Sequence, residues 1–341
     1  MRENYLPWQV SVSDFPKDGD LRDQFIFLLS FAILAPSGHN SQPWAFKIEN
    51  NSVLIFAESS RHLVKSDTNG RQLYISLGCA IENIVIAADY YGFSTAVTLL
   101  PDSKNQDLAA RVTFSRASEK TSDKDHLIFS IPERFNNRSM YENRVPPKEV
   151  LNTISQLQTT NLSINFFISE QKNIAADVAI EAGITAMDNK DFREELSGYV
   201  KNNFTSSKVG MPAFGMGIPT LVSLLVPTMI KRFNINRMKN KQDKALLKKF
   251  TPIIGVISTE GDVKPDWLNA GRIYERIALM AVSNGFCTAV WASPIQIADY
   301  YRKLQSILRT NFRPQVFFRM GYSGKNIPHS PRLSVEEVLI R

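Results

Sequence analysis

Two stretches of the chain repeat each other: residues 78–97 read GCAIENIVIAADYYGFSTAV, and residues 271–290 read GRIYERIALMAVSNGFCTAV. The offset is 193 residues at both ends, and nine of the 20 aligned positions are identical. The identical pairs are Gly78/Gly271, Glu82/Glu275, Ile84/Ile277, Ala88/Ala281, Gly92/Gly285, Phe93/Phe286, Thr95/Thr288, Ala96/Ala289 and Val97/Val290. Unrelated segments of this length agree at roughly one or two positions, so the match predicts an internal repeat.

Each copy of the repeat predicts a helix followed by a core strand. Apolar residues recur at helical spacing, Gly92 and Gly285 follow as C-terminal helix caps, and a β-branched run comes next. Small residues on the helices, Gly78 among them, would let another backbone approach closely. Two halves packed through such helices would resemble a homodimer whose protomers have been fused.

The rest of the chain reads as single strands alternating with helices, which favours an α+β fold. Residues 21–34 and 150–157 predict helices, and residues 44–58 predict a hairpin that turns at Asn50-Asn51. Further strands are predicted at 163–169, 252–259 and 314–322. Residues 173–245 form an insertion with no counterpart in the first half. Within it, the apolar run 218–230 is interrupted by prolines and is interpreted as buried or lid-like.

Composition indicates a globular protein without a structural metal or a disulfide framework. Of 341 residues 43% are hydrophobic, mean hydropathy is −0.17, and no apolar run approaches the length of a membrane helix. The two cysteines and four scattered histidines lack metal-ligand spacing. The first 20 residues lack the apolar core of a signal peptide, which predicts a cytoplasmic location.

The net charge is +7, and much of it lies in the basic stretch 231–249. A charge bias of this kind can indicate nucleic acid or an anionic ligand. No aromatic-basic interleaving, helix-turn-helix or zinc-finger spacing accompanies it. The stretch is therefore interpreted as a solvated helix face or loop, and neither a nucleic-acid nor a membrane partner is expected.

The segment Ala35-Pro36-Ser37-Gly38-His39-Asn40-Ser41-Gln42-Pro43-Trp44 follows a predicted helix and precedes a strand. Its small residues and amide groups could lie along the polar edge of a planar heterocycle. On the residues alone, a turn-rich connector remains the alternative.

This segment resembles the PSxxNxQPW signature of the nitroreductase superfamily, whose homodimers bind FMN at the subunit interface. The length and the repeat are similar to the Acg-like branch, in which one chain carries two nitroreductase-like halves and a lid. The resemblance implies a nitroreductase-like α+β fold with halves at 1–130 and 131–341 and a lid at 173–245. It also implies FMN as cofactor, NAD(P)H as electron donor and a monomer that acts as a pseudo-dimer.

The resemblance also implies the cofactor contacts. The signature loop would contact the flavin ring through Pro36, Ser37, Gly38 and Asn40, with Gln42 and Trp44 structural and Trp44 in the core. The family's Arg-Arg-Ser-x-Arg phosphate motif has a counterpart only at Arg134, Asn136 and Arg138, where Phe135 and Asn136 replace the second arginine and the serine. Arg332 would add a further cation. Ala292 and Ser293 would lie near flavin N5, although a plain strand-to-helix connector is the alternative there.

The implied function is hydride transfer from NAD(P)H through the flavin to a small-molecule acceptor, with no catalytic acid or base among the residues. A rival function is flavin sequestration, in which Met211–Pro219 fills the space over the ring. A third is flavin cleavage, although enzymes of that kind usually lack the fused repeat and the long lid.

Overall fold

The computed structural model describes residues 2–117, 127–325 and 327–341, with the side chains of Arg237 and Met238 left undescribed. The helices are α1 (Leu21–Ala32), α2 (Arg71–Tyr90), α3 (Lys148–Ser155), α4 (Ser169–Asp188), α5 (Lys190–Tyr199), α6 (Thr220–Ser223), α7 (Val226–Arg232), α8 (Asn236–Lys244), α9 (Lys264–Ser283), α10 (Ser293–Gln296), α11 (Tyr300–Leu308) and α12 (Val335–Val338). The strands are β1 (Trp44–Glu49), β2 (Ser52–Ala57), β3 (Phe93–Leu99), β4 (Leu108–Arg116), β5 (Leu162–Phe167), β6 (Val200–Lys201), β7 (Met211–Pro212), β8 (Ile253–Thr259), β9 (Cys287–Val290) and β10 (Arg313–Gly321). This mixture of antiparallel sheets and helices is the α+β class that the sequence predicts.

The two large sheets have the same topology. One has the order β1-β2-β4-β3 and the other β5-β8-β10-β9, with every neighbouring pair antiparallel. In each sheet the fourth strand therefore lies between the second and the third. The connection from second to third strand contains α2 in one sheet and α9 in the other, and these are the helices of the repeated sequence.

The helices α2 and α9 pack at backbone-to-backbone distance because of two glycines. A Cβ atom on Gly78 would lie 2.1 Å from the Leu268 carbonyl oxygen, and one on Gly271 would lie 2.0 Å from that of Ile75. Only glycine permits this contact. By length and composition alone α2 could cross a membrane, but 78% of the relevant window is buried inside the protein, as in the core helix of a soluble domain.

The turn predictions agree with the backbone. Gly92 and Gly285, just beyond α2 and α9, have φ of 77° and 76°, which is the left-handed conformation of a glycine cap. β1 and β2 form the predicted hairpin, and Asn50 in its turn has φ of 52°. The helix predicted from Gly78 begins seven residues earlier, at Arg71, because the carboxylate of Asp67 accepts hydrogen bonds from the amides of Gln72 and Leu73.

The apolar run 218–230 is not buried as a whole, which corrects one half of its interpretation. It forms α6 and α7, whose starts coincide with Pro219 and Pro227. Ser223, Val226 and Ile230 face inward, whereas Leu221 is 78% exposed. Residues 118–126, which include His126, one of the four scattered histidines, lie outside the described residues.

Candidate functional site

Two adjacent cavities lie where the two halves of the sequence meet. The larger has a volume of about 640 Å³ and mostly apolar walls, and the smaller, of about 80 Å³, is lined by arginine, histidine and asparagine side chains. They share part of their lining, including Ser37 and Arg138. All ten cofactor contacts predicted from the sequence line one cavity or both: Pro36, Ser37, Gly38, Asn40, Arg134, Asn136, Arg138, Ala292, Ser293 and Arg332.

The signature loop is held in a strained conformation by contacts inside and outside the loop. His39, Asn40 and Gln42 have φ of 48°, 56° and 52°, in the left-handed region that non-glycine residues avoid. The amide of Gln42 donates to Ser37 Oγ (3.0 Å), and its side chain donates to the Lys208 carbonyl oxygen (2.7 Å). Strain of this kind persists where surrounding contacts determine the backbone, which is common at binding sites.

Asn40 connects this loop to the insertion and to the C-terminal segment. Its Nδ2 donates to the carbonyl oxygens of Gly210 (3.0 Å) and Pro331 (2.9 Å), and its Oδ1 accepts from Arg332 (2.6 Å). The Gly210 amide donates back to the Asn40 carbonyl oxygen (3.2 Å). The Asn40 side chain thus lines the small cavity, but both its donor hydrogens and its acceptor have protein partners.

The three arginines of the small cavity differ in how much of their charge is compensated. Arg134 Nε lies 3.1 Å from Glu275 Oε1, off the hydrogen-bond direction, and Arg134 Nη2 donates to the Leu34 carbonyl oxygen. Arg332 donates to the carbonyl oxygens of Leu34 and Ala35, and its buried Nε has no partner. Arg138 is half-buried and its only described hydrogen-bond contact is to Met211 Sδ, at 3.7 Å. Glu275 therefore faces two of these guanidinium groups, those of Arg134 and Arg332, and Arg138 interacts with Asp243 beyond ion-pair distance.

Burial and mutual repulsion act on the basic groups around this cavity. Burial, then Arg134, lowers the pKa of Arg332 to about 9, and burial with Arg319 lowers that of Arg138. Burial is also the main cause that lowers the pKa of His39 and His329 to about 4, so both imidazoles are neutral at pH 7. Each has a buried Nδ1 without a hydrogen-bond partner. An anion entering here would meet uncompensated positive charge and unused polar atoms.

The segment around Asn136 is attached to the strand that leads to Ala292 and Ser293. Asn136 Oδ1 accepts a hydrogen bond from the Val290 amide (3.1 Å), and Asn136 forms a parallel bridge with Thr288. Ser293 Oγ donates to the Ala179 carbonyl oxygen (3.3 Å) on α4. Asn136 and Arg138 of the predicted phosphate motif and Ala292 and Ser293 of the predicted N5 loop all line the larger cavity, whereas Arg134 lines only the smaller one.

Four residues that line the larger cavity, on the first turn of α2 and on α8, were not predicted from the sequence. Arg71, Gln72, Lys239 and Asp243 all line the larger cavity. The side-chain Nε2 of Gln72 donates to Gln296 Oε1. The Nε2 of Gln296 in turn donates to the Asp67 carboxylate (3.0 Å). The turn signal Asn69-Gly70 before Arg71 could have revealed the true helix start. Nothing in the basic stretch 231–249 distinguishes Lys239 and Asp243 beforehand.

No family model matches the chain. The "Putative NAD(P)H nitroreductase Rv3131" of Mycobacterium tuberculosis (strain ATCC 25618 / H37Rv) is 24% identical over 317 residues, which span 92% of this chain and 90% of that protein. The "Putative NAD(P)H nitroreductase acg" of the same strain is 23% identical over 316 residues, 91% of this chain and 93% of that protein. The "Uncharacterized protein Rv3127", also of that strain, is 26% identical over 311 residues, 85% and 84% of the two chains.

Among solved structures, the FMN and NADPH-dependent nitroreductase NfnB from "sphigopyxis sp. strain HMH" has a TM-score of 0.43 and 15% identity, over 64% of this chain and 99% of that one. The FMN-dependent nitroreductase NfnB from Mycobacterium smegmatis in complex with NADPH has a TM-score of 0.42 and 12% identity, over 61% and 94%. These likenesses are too distant to bear on function.

Proposed function

Because the chain is a relative of the Acg-like nitroreductases along nine-tenths of its length, we propose that it binds one FMN and transfers reducing equivalents from NAD(P)H to a small-molecule acceptor. One observation carries the proposal. Ten residues predicted as flavin contacts from motifs far apart in the sequence meet around two adjacent cavities. A volume of about 640 Å³ is in the range of cofactor pockets.

The residues present fit the chemistry of FMN. Its phosphate is dianionic, and the small cavity offers Arg138, which forms no ion pair among the described residues, and a buried Arg332 Nε without a hydrogen-bond partner. Guanidinium groups bind phosphate through charge-assisted hydrogen bonds. The apolar walls of the larger cavity suit an isoalloxazine ring. The backbone of Pro36–Gly38 and of Ala292–Ser293 would hold its polar edges.

When bound, FMN supplies the hydride chemistry, accepting from a nicotinamide and delivering to an acceptor. The chain positions the cofactor, compensates its charge and controls access. Arg138 and Arg332 hold the phosphate, while Asn40 holds the loop, Arg332 and the insertion together through its hydrogen bonds. We assign no residue as a catalytic acid or base.

The structure favours a reductase over flavin sequestration. In the rival function, Met211–Pro219 would fill the space over the ring. Met211, Met216 and Ile218 line the larger cavity, and Phe214 is not among its lining residues, so this segment forms part of the cavity wall and leaves a cavity of about 640 Å³ beside it.

The experiment that tests the function begins with the absorbance spectrum of the purified protein and titration of apo-protein with FMN. NADPH is then added under anaerobic conditions, and bleaching of the flavin bands is followed with time. Tight FMN binding with rapid bleaching is the expected result. Binding without bleaching would support sequestration instead, and failure to bind FMN would overturn the proposal.

We further propose that the halves lie at 1–130 and 131–341, with residues 173–245 as an insertion between strands of the second half. The identical strand order of the two sheets and the glycine contact between α2 and α9 support this division. A monomer follows because both sides of the flavin site belong to one chain. The cytoplasmic location remains a prediction, which cell fractionation would test.

A further inference from the structure

The insertion carries an apolar surface that faces solvent. Residues 221–233 contain three inward-facing side chains, Ser223, Val226 and Ile230. Six of the nine exposed side chains are apolar, Thr228, Lys231 and Arg232 being the others, and the six form what we call the apolar ridge: Leu221 (78% exposed), Val222 (48%), Leu224 (52%), Leu225 (63%), Met229 (38%) and Phe233 (60%). A helix on the surface of a soluble protein normally turns a polar face outward. A contiguous exposed apolar surface indicates an interaction site.

The ridge is joined to the most basic part of the molecule. Residues 220–250 contain eight Lys and Arg and one Asp, a net charge of +7. The whole chain has 40 basic and 33 acidic residues, so its net charge of +7 lies entirely in this segment and the remainder is balanced at 32 of each. Arg232, Lys241, Lys244 and Lys249 are exposed and form no ion pair within the part of the chain that the structure describes.

The ridge also borders the entrance of the larger cavity. Val222 and Met229 are exposed and at the same time line that cavity, together with Val226 and Ile230 on the inner side of the segment. A surface on which the ridge docks would therefore lie next to the way into the cavity, and an apolar compound dissolved in that surface could enter without crossing water.

Against the expectation from the sequence that no membrane partner binds, we propose that residues 220–250 dock on an anionic lipid bilayer, with the apolar ridge inserted at the headgroup boundary and the basic side chains on the lipid phosphates. Apolar and aromatic side chains flanked by Lys and Arg on a short surface helix are the pattern of an interfacial membrane anchor. A second copy of this chain fits poorly, because pairing the ridges would bring two segments of +7 together. The electron acceptor of the proposed function would then be an apolar compound supplied by the membrane. Docking itself does not depend on that function.

The test is flotation of the purified full-length protein with vesicles of phosphatidylcholine alone and with vesicles that also contain phosphatidylglycerol. Binding is expected only to the anionic vesicles, and it should weaken as salt is raised. Lys241→Gln with Lys244→Gln should weaken binding roughly 25-fold, since each lysine near an anionic surface contributes about fivefold. Leu221→Gln with Leu225→Gln should weaken it by more than about tenfold through lost apolar burial.

Matched controls carry the same changes elsewhere on the surface. Lys17→Gln with Lys104→Gln removes two exposed lysines, and Leu6→Gln with Leu21→Gln replaces two leucines that are 47% and 45% exposed. Both controls should bind vesicles like the unmodified chain. None of the substituted residues lines either cavity, so bound FMN, read from its absorbance, should stay unchanged throughout and reports separately on the proposed function.

Equal binding to both kinds of vesicle, or equal effects of ridge and control variants, would overturn docking on an anionic bilayer. So would sedimentation showing a dimer that the ridge variant dissociates, because the ridge would then cover a second copy. Vesicle binding by a protein that fails to bind FMN would leave docking in place and reject only the proposed function.

Discussion

Arg138 differs from Arg134 because it forms no ion pair among the described residues and interacts with Asp243 only at longer range, whereas Arg134 lies beside Glu275. We expect Arg138→Ala to weaken FMN binding by about 1.5–3 kcal/mol, the magnitude of a hydrogen bond to a charged group. Riboflavin, which lacks the phosphate, should bind both proteins equally. Fluorescence titration measures both ligands. The exposed Arg22→Ala on α1 is the control, and equal weakening for the two ligands would mean that Arg138 acts on the fold.

The buried His39 should make the free energy of unfolding depend on pH. Burial is the main cause that lowers its pKa from 6.5 to about 4, so the unfolded chain binds a proton in this interval that the folded chain does not. The stabilisation is complete above pH 6.5 and is lost as pH falls toward 4. At about 1.4 kcal/mol per unit, His39→Gln should remove up to about 3 kcal/mol of this pH dependence. Urea unfolding at pH 7 and pH 4.5 compares the two proteins, and parallel curves would contradict the assignment.

For single residues, the sequence predicts which of them line the cavities but not which partners each one binds. The loop Pro36–Trp44 and the pair Arg134 and Arg138 are recognisable by residue type; Pro36–Asn40 and both arginines line the two cavities, and Trp44 is fully buried as predicted. Asn40 bonds to Gly210 and Arg332, and Arg134 pairs with Glu275. These partners are more than 100 residues away along the chain, and no local pattern encodes such distances.

Among the structural elements, the close packing of α2 against α9 can be tested by a single substitution. Gly271→Ala would place a Cβ atom 2.0 Å from the Ile75 carbonyl oxygen, so the two helices would have to separate. We expect a loss of at least about 1–3 kcal/mol of unfolding free energy, the usual cost of overpacking. Thermal and urea unfolding measure it. Unchanged stability would mean that the helices are farther apart than described.

Gly198→Ala is the matched control for that substitution. Gly198 lies within α5, is exposed and has nothing within 4 Å of its ideal Cβ position. Because glycine is a poor helix former, alanine should stabilise the protein here by roughly 0.5–1 kcal/mol. The same substitution is thus expected to lower the free energy of unfolding in α9 and to raise it in α5. The comparison separates the effect of close packing from that of helix propensity.

Elements with strong periodicity were predictable and the insertion was not. The repeated helices, the hairpin at 44–58 and the strands at 252–259 and 314–322 follow from their apolar patterns. In the insertion, α6 and α7 present apolar residues to both sides, so no amphipathic period distinguishes inside from outside. A run of apolar residues then reads as core, although Leu221 and Leu225 face solvent.

The residues of the candidate site come from both halves of the sequence. Arg134, Arg138 and Arg332 belong to the second half of the sequence, and the loop Pro36–Asn40 belongs to the first. The site therefore exists only when both halves are folded together, with Asn40 bonded to Arg332 across 292 residues. A split of this kind would account for the proposed single flavin site in one chain without a partner subunit.

That division predicts a single FMN per chain, independent of protein concentration. At the offset of the repeat, Ala292 and Ser293 correspond to Leu99 and Leu100; Leu99 still belongs to β3, pairing with Ala110, so the loop found after β9 is missing at this position. The sequence before α1 has no counterpart of Arg134 and Arg138. Titration of apo-protein should therefore saturate at one FMN per chain, and sedimentation should show a monomer whose flavin is retained on dilution. Two FMN per chain would mean that the other face of the pseudo-dimer also binds. Half an FMN per chain, or release on dilution together with dissociation of a dimer, would mean that a second chain completes the site.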